Sequence, residues 1–443
     1  MNKIMLIIIV YLILLLKQSE AQTIKDSDCV FPDSTWQYIE KPDTMGWNIA
    51  KLIELDEFVL NKTSFTGLMI IHKGKVLYDY GDVKELSYIA SCRKSVLCML
   101  YGRYVDKGII DLNKTIGELE IDELVDLLEI EKKAKVDNLL TARSGVYLPS
   151  AASGSNERLP ERGSKQPGSY YLYNNWDFNV AGFIFEKETG KNIYDALNEQ
   201  IALPIKLEDW ERKKQKKEFD PSSKYPAYHM YLSTRDMARI GYLMLRNGEW
   251  NGKQLIPKPW IKKTTSLVTS VEELKISDPS IKNKPWWKWG YGYLWRVWDN
   301  NSNIRPELRG AYSATGAWGQ YITIIPSVDL VIASKTKSEY RRSTNYETYM
   351  NLLDILIDAK MDYLAVTETL KSNSAESIGT VVDVRNNFNH SEYFKYKYEY
   401  NGQEYYGWSC SHQKIFCGNI FIVFLSPDNP KVNKIDLKNK IDK

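Results

Sequence analysis

The sequence predicts a sheet interrupted by a helical insertion, followed by a small all-β unit. Three observations carry this. Strand-like runs stand at both ends of residues 22–360, and helical periodicity fills the interval between them. A polar, Ser-rich linker at 361–378 then precedes a series of short strands over 379–443. At 443 residues the chain is long enough for two or three structural units and a large core. Its net charge of +3 implies no strong pull toward nucleic acid.

In chain order, Lys3, the apolar run Ile4 to Leu16 and Ser19-Glu20-Ala21 read as a signal peptide over 1–21. The run falls short of the ~20 residues that a membrane span requires. The mature chain is therefore expected to be exported, periplasmic or extracellular, with no stable membrane span. A helix is expected from about Trp47 to Asn61. Gly67–His72 and Lys75–Tyr80 flank Lys73-Gly74 as a β-hairpin. Leu97, Leu100, Tyr101, Tyr104 and Val105 recur at helical spacing after Ser91, and Gly108 stops that helix. Leu119, Leu124, Leu127 and Leu128 suggest an amphipathic helix over 117–135, and 145–170 reads as an irregular loop.

Helical pattern returns at Trp176–Thr189, Ile193–Ile201 and Ser233–Asn247. From Gly290 to Trp298 the period changes to two, which predicts one strand. Gln320–Pro326 and Leu330–Ser334 are two further strands, and Tyr346–Asp358 is a closing helix. In the C-terminal unit, strands are expected at Thr380–Val384, Glu392–Tyr400, Glu404–Ser409 and Ile415–Leu425, with Asn401-Gly402 and Gly418-Asn419 as hairpin turns. The basic run Arg212–Lys217 is flanked by acids and reads as a solvated helix face. Of five cysteines, Cys92 and Cys98 look like small core residues, while Cys410 and Cys417 flank a hairpin and could pair.

The chemistry starts at Ala90-Ser91-Cys92-Arg93-Lys94-Ser95. Residues three apart share a helix face, so the Lys94 amine lies one turn beyond the Ser91 hydroxyl. A serine becomes a useful nucleophile when a base sits within hydrogen-bond reach, and a desolvated lysine can be that base. Spacing alone leaves a plain alternative, with Ser91 as a helix N-cap and Lys94 as a solvated residue. Ser334-Lys337 and Ser411-Lys414 share the spacing, but only Ser91 opens a long apolar helix.

Further stretches turn this into a resemblance. Pro167-Gly168-Ser169-Tyr170-Tyr171-Leu172-Tyr173-Asn174-Asn175 resembles the Pro-Gly and Tyr-x-Asn segment of the serine β-lactamase and penicillin-binding-protein superfamily, in its class C-like branch. Leu139–Gly145, Ser233–Arg239 and Trp250–Pro257 are similar to that family's LLTHTSG, STARDMARF and WNGKQLIP elements. The match spans about residues 45–360 and excludes the C-terminal unit. It implies the β-lactamase/transpeptidase-like fold, an α/β plus all-α architecture in which an antiparallel sheet is flanked by helices with a helical insertion. It also implies Ser91 as the acylated nucleophile and Lys94 as its base. Tyr173 would assist proton transfer and protonate the leaving group, and Asn175 would bind substrate or hold the lysine. A phenol beside an ammonium is expected to be pushed toward phenolate. No cofactor or metal is implied; His72, His229, His390 and His412 are scattered.

The chain departs from the family at the third motif, where β-lactam-acting members carry Lys-Thr-Gly or His-Thr-Gly. Aligned on Gly316 and Gly319, the cationic position of Ala311–Ile322 falls on Ala311. This resembles the esterase and 6-aminohexanoate-oligomer-hydrolase members. Ala314, Gly316, Trp318 and Gly319 are the expected substrate-binding residues, with a backbone N–H near Ala314 completing an oxyanion hole with that of Ser91. Pro285–Tyr291 is aromatic and reads as core or as a pocket wall. The expectation is an exported serine hydrolase acting on a small ester, amide or short peptide. The alternatives are a β-lactamase, a penicillin-binding or sensor module without efficient turnover, or an envelope-glycan binder.

Overall fold

The computed structural model describes residues 29–152, 159–386, 392–411 and 413–441. The expected signal peptide lies outside them, as do His390 and His412. Asn48 opens α1 (Ile49–Lys62) by accepting from the Lys51 N–H. The hairpin β1 (Gly67–His72) and β2 (Lys75–Gly81) turns through Lys73 and Gly74, both at positive φ. The helices α2 (Cys92–Asp106), α3 (Asn175–Thr189) and α4 (Thr234–Leu245) follow. The remaining strands are β3 (Trp289–Tyr291), β4 (Arg296–Trp298), β5 (Tyr312–Gly316), β6 (Gln320–Ile325) and β7 (Leu330–Lys335), and α5 (Tyr346–Ser372) closes the unit.

Together these strands form one antiparallel sheet in the order β2-β1-β7-β6-β5-β4-β3. Alternation along its central strands feeds two separate cores. Met69, Ile71, Val331 and Ala333 face a cluster that includes Val96 and Leu97 of α2 and Met237 and Ile240 of α4. Leu68, Ile70, Leu330 and Ile332 face the other cluster, with Leu52 and Leu55 of α1 and Leu353 and Leu356 of α5. A sheet buried on both faces is a rigid platform, and the Ser91 helix is packed directly against it.

Several elements differ from the sequence reading. Residues 117–135 form turns and a short 3-10 segment at Glu131–Lys133, not a helix. Two acids are buried hubs there. Glu123 accepts from the Trp176 indole, the Ser223 hydroxyl and the Leu124 and Lys224 N–H groups, and Glu131 accepts from Arg162. Gly290–Trp298 is a hairpin, because Leu294 adopts φ 59° and its carbonyl is held by the Ser95 hydroxyl at 2.5 Å. The stretch 361–378 is no linker: α5 continues to Ser372 and the next strand starts at Ala375, with Tyr363, Val366 and Leu370 lining a cavity shared with Tyr406 and Trp408 of the C-terminal unit. Arg212–Lys214 is a 3-10 turn and Lys216–Asp220 a strand; Arg212 pairs with Asp195 and Lys217 with Glu186.

The C-terminal all-β unit comprises β8 (Ala375–Asn386), β9 (Glu392–Tyr400), β10 (Gln403–Ser411), β11 (Ile420–Leu425) and β12 (Asn433–Ile441), ordered β10-β9-β8-β11-β12. The last strand had no clear sequence signal. Tyr393 and Cys410 join the α1–α5 core cluster, so the unit is docked on the larger one. Cys410 and Cys417 do not pair: both are free, one buried and one exposed.

Candidate active site

The site is built from the turn that launches α2. Ala90 adopts φ 48°, a left-handed conformation that costs a non-glycine residue about 1–2 kcal/mol. Arg93 braces this turn, its Nη1 donating to the Ala90 carbonyl at 3.2 Å. Ser91 occupies the helix-cap position, yet its side chain makes no cap hydrogen bond. The hydroxyl is left for other work, which decides against the N-cap alternative.

Lys94 is not solvated either; it is 1% exposed. Its Nζ lies 3.2 Å from Ser91 Oγ, 2.7 Å from the Tyr173 hydroxyl and 2.5 Å from Asn175 Oδ1. The rings of Tyr173 and Phe178 flank it at 4.2 and 4.3 Å. The partners arrive from α3 and from the segment that leads into it, which carries Tyr173. Asn174 caps that helix through the Trp176 N–H and donates to the Val146 and Leu148 carbonyls, which fixes the irregular loop. Asn175 donates through Nδ2 to the Ala152 carbonyl at 2.9 Å, so its oxygen is the end turned to Lys94. Ser91, Lys94, Tyr173 and Asn175 are thus one connected group.

The charge state of Tyr173 differs from the sequence expectation. Burial pushes its hydroxyl up, outweighing the hydrogen bond from Ser91 and the positive Arg296, which both act downward. At neutral pH the side chain is a phenol, able to donate a proton.

The third strand fits a different register from the one aligned on Gly319. A Cβ on Gly316 would lie 2.7 Å from the Ile89 carbonyl and 3.1 Å from the Ala90 Cβ, so Gly316 abuts the Ser91 turn. Gly319, at φ 88°, packs instead against the backbone of Thr344. Matched by Thr315-Gly316 to the family's Thr-Gly, the missing cation falls on Ala314, not Ala311. Ala314 is not a free donor either. The Trp298 N–H donates to the Ala311 carbonyl, so the odd-numbered residues of β5 aim at β4 and Ala314 aims at β6, opposite Ile322. Pairing with β4 ends at Ser313, which leaves the Thr315 N–H without a strand partner on that side. Trp318 stands 42% exposed in the β5–β6 turn at φ 71°.

The aromatic run is mainly core, with Trp287, Trp289 and Tyr291 buried. Tyr291 nonetheless meets the Tyr173 ring edge-on at 6.1 Å. Two residues beside the site were missed from sequence. Phe178 faces Lys94, and Arg296 stacks over Tyr173 at 5.5 Å. A lone cation inside an otherwise aromatic strand was the available signal for Arg296. His72 and His229 lie elsewhere, the first accepting from the Trp47 indole and the second against Tyr88.

Among proteins of known sequence, the family model described as Beta-lactamase matches residues 63–355. The chain belongs to the β-lactamase family. That span runs from the entry to β1 into α5 and includes every residue of the site. An uncharacterized protein of Alkalihalophilus pseudofirmus is 26% identical over 264 residues, covering 55% of this chain and 71% of its own. A protein described as a 6-aminohexanoate-dimer hydrolase from Bacillus anthracis superposes with a TM-score of 0.51 at 19% identity, covering 78% of this chain and 89% of that one. A penicillin-binding protein homologue from Caulobacter crescentus gives 0.53 at 15% identity, covering 74% and 100%. The two structural likenesses show the fold, and the family match shows the membership.

Proposed function

We propose that this chain is an exported serine hydrolase that cleaves a small ester or amide through an acyl-enzyme on Ser91. The observation that carries the reading is a single buried amine, Lys94 Nζ, within 3.2 Å of Ser91 Oγ and 2.7 Å of the Tyr173 hydroxyl. Lys94 as a neutral amine takes the Ser91 proton while Oγ attacks the carbonyl carbon. The N–H groups of Ser91 and Thr315 are the backbone donors available to the oxyanion. Tyr173, held as a phenol, gives its proton to the leaving oxygen or nitrogen and regains one from Lys94. Water then attacks the acyl-enzyme by the same relay in reverse, releasing the acid and restoring Ser91. Asn175 holds the lysine in place throughout.

The alanine in the cation position favours esterase or amide-oligomer hydrolysis over β-lactam turnover. Export rests on the pattern of residues 1–21. The test is hydrolysis of p-nitrophenyl acetate and butyrate beside intact-mass analysis with penicillin G. Ester turnover that Ser91→Ala abolishes, with no penicillin adduct, is the expected result. A stable penicillin adduct on Ser91 without ester turnover would instead mark a penicillin-binding module.

A further inference from the structure

We propose that the cavity between α5 and the C-terminal unit binds a medium-chain fatty-acid anion, at a site separate from Ser91. Its volume is about 530 Å³, within the range of small-molecule sites. One wall is the last part of α5, with Tyr363, Val366 and Leu370. The other carries Tyr406 and Trp408 of β10 and Phe424 of β11. Both α1 and α5 pack on the face of the large sheet opposite to α2, so the cavity lies away from the nucleophile. It is not the interior of the small sheet either, which Val381, Phe394, Phe421 and Val423 fill.

The floor of the cavity is a seam held by specific contacts. Among the described residues, β10 and β12 are the two edge strands of the small sheet and do not pair with each other. They meet at Gly407, where a Cβ would lie 2.4 Å from Asn433 Oδ1 and 2.4 Å from the Tyr396 Cζ. The missing side chain lets the Tyr396 hydroxyl donate to Asn433 Oδ1 at 2.6 Å across the seam. Tyr396, Gly407 and Asn433 all line the cavity, so its floor is closed by this bridge.

The two ends of the cavity differ in charge. Tyr363 to Lys371 is about 12 Å of helix, which sets the ligand at medium length. The Tyr363 end lies beside Gly46, whose Cβ would stand 3.5 Å from the Tyr363 ring, and Asp43 and Asn48 line the cavity there. At the other end stand Lys371, Lys431 and Lys434. Lys434 is opposite Phe424, which is opposite Glu376, two residues beyond Ser374 at the end of α5. Phe424 thus separates Lys434 from Glu376, and none of the three lysines forms an ion pair among the described residues. An apolar trough with cations gathered at one end matches an alkyl body with an anionic head. Burial of the chain supplies the affinity, and the lysines act as mobile point charges on the carboxylate. A sugar would set hydroxyls against Val366, Leu370 and Phe424, which offer them no hydrogen bond.

The test is calorimetric titration of the full chain with decanoate and with 1-decanol, each below the concentration at which it aggregates. Saturable decanoate binding is expected, favoured about tenfold over the alcohol by the summed contacts of exposed lysines. Replacing both Lys371→Gln and Lys434→Gln should bring that ratio to within about threefold of one. Leu370→Trp, which fills the trough, should remove binding while ester hydrolysis stays within about twofold of wild type. Prior fluorophosphonate labelling of Ser91 should leave decanoate binding unchanged. No saturable binding, equal binding of the alcohol, or binding lost on labelling overturns the proposal; the last places decanoate at the hydrolase site. Binding of chitotetraose in place of decanoate also overturns it and gives the cavity to a sugar. Should Leu370→Trp not fold, a diazirine-bearing decanoate cross-linked to the wild-type chain asks the same question. Cross-links within 363–371, 406–408 or 431–435 support the site, and cross-links confined to other residues overturn it.

Discussion

Replacing Gly316 by alanine probes the contact between the third strand and the nucleophile turn. The backbone there needs no glycine torsion, so the effect is purely steric. The new Cβ would sit 2.7 Å from the Ile89 carbonyl oxygen, 3.0 Å from the Gln320 Cβ and 3.1 Å from the Ala90 Cβ, whereas ordinary contact begins at 3.4 Å. The largest shortfall, about 0.7 Å, falls on a backbone oxygen that accepts the Cys92 N–H in the first turn of α2. Displacing it displaces Ser91 relative to Lys94 and Thr315. A misplacement near 1 Å costs roughly 100-fold in rate, so a loss of about 10- to 100-fold in kcat/KM is expected, equivalent to about 1.4–2.7 kcal/mol. Overpacking should also lower stability by about 1–3 kcal/mol. Ester hydrolysis, the rate of fluorophosphonate labelling and a thermal melt read these separately. A folded Gly316→Ala enzyme that labels and turns over within twofold of wild type would refute the contact argument.

Other outcomes follow from the same geometry. Tyr173→Phe should keep the fold but lose about 10²- to 10⁴-fold in ester turnover, the usual range for a proton-transfer group. Lys94→Met should abolish turnover and probe labelling together, and labelling at the wild-type rate would remove the lysine from its role. Burial pushes the His72 imidazole down to about 3, so the unfolded chain binds the extra proton between about pH 6.5 and 3. Its contribution is full above about pH 6.5 and lost as pH falls, about 2 kcal/mol by pH 5. Asp236, pushed up to about 7, and His229, pushed down to about 4, also titrate differently on folding, so the readout is the difference between proteins. Urea unfolding at pH 7 and pH 5 should show a smaller loss in His72→Gln than in wild type by about that amount. Iodoacetamide should modify exposed Cys417 in the native protein but reach Cys92 and Cys98 only after unfolding.

Much of the site was legible because its chemistry is local or punctuated. Ser91 and Lys94 share one helix turn, and Asn174 caps the helix that carries Asn175, so residue order alone placed both near helix starts. The long-range parts were not legible. Nothing in the periodicity of 117–135 distinguishes a solvated Glu123 from one that gathers four donors across the fold. The alternation of Gly290–Trp298 is real, yet the Ser95 hydroxyl and Leu140 carbonyl fold it into a hairpin from outside the segment. That hairpin places Arg296 over Tyr173. The Ser-rich stretch after Asp358 continues as helix to Ser372, where Tyr363, Val366 and Leu370 line a cavity shared with Tyr406 and Trp408 of strands that come later in the chain. The phenolate expectation weighed the neighbouring ammonium but could not weigh burial, which dominates.

The most direct test of the central claim is intact-mass analysis after exposure to a fluorophosphonate probe. Wild-type protein should gain one adduct, mapped by peptide analysis to Ser91, and folded Ser91→Ala should gain none. An adduct on another residue, equal labelling of Ser91→Ala, or no labelling of folded wild type would contradict the assignment of Ser91 as the nucleophile.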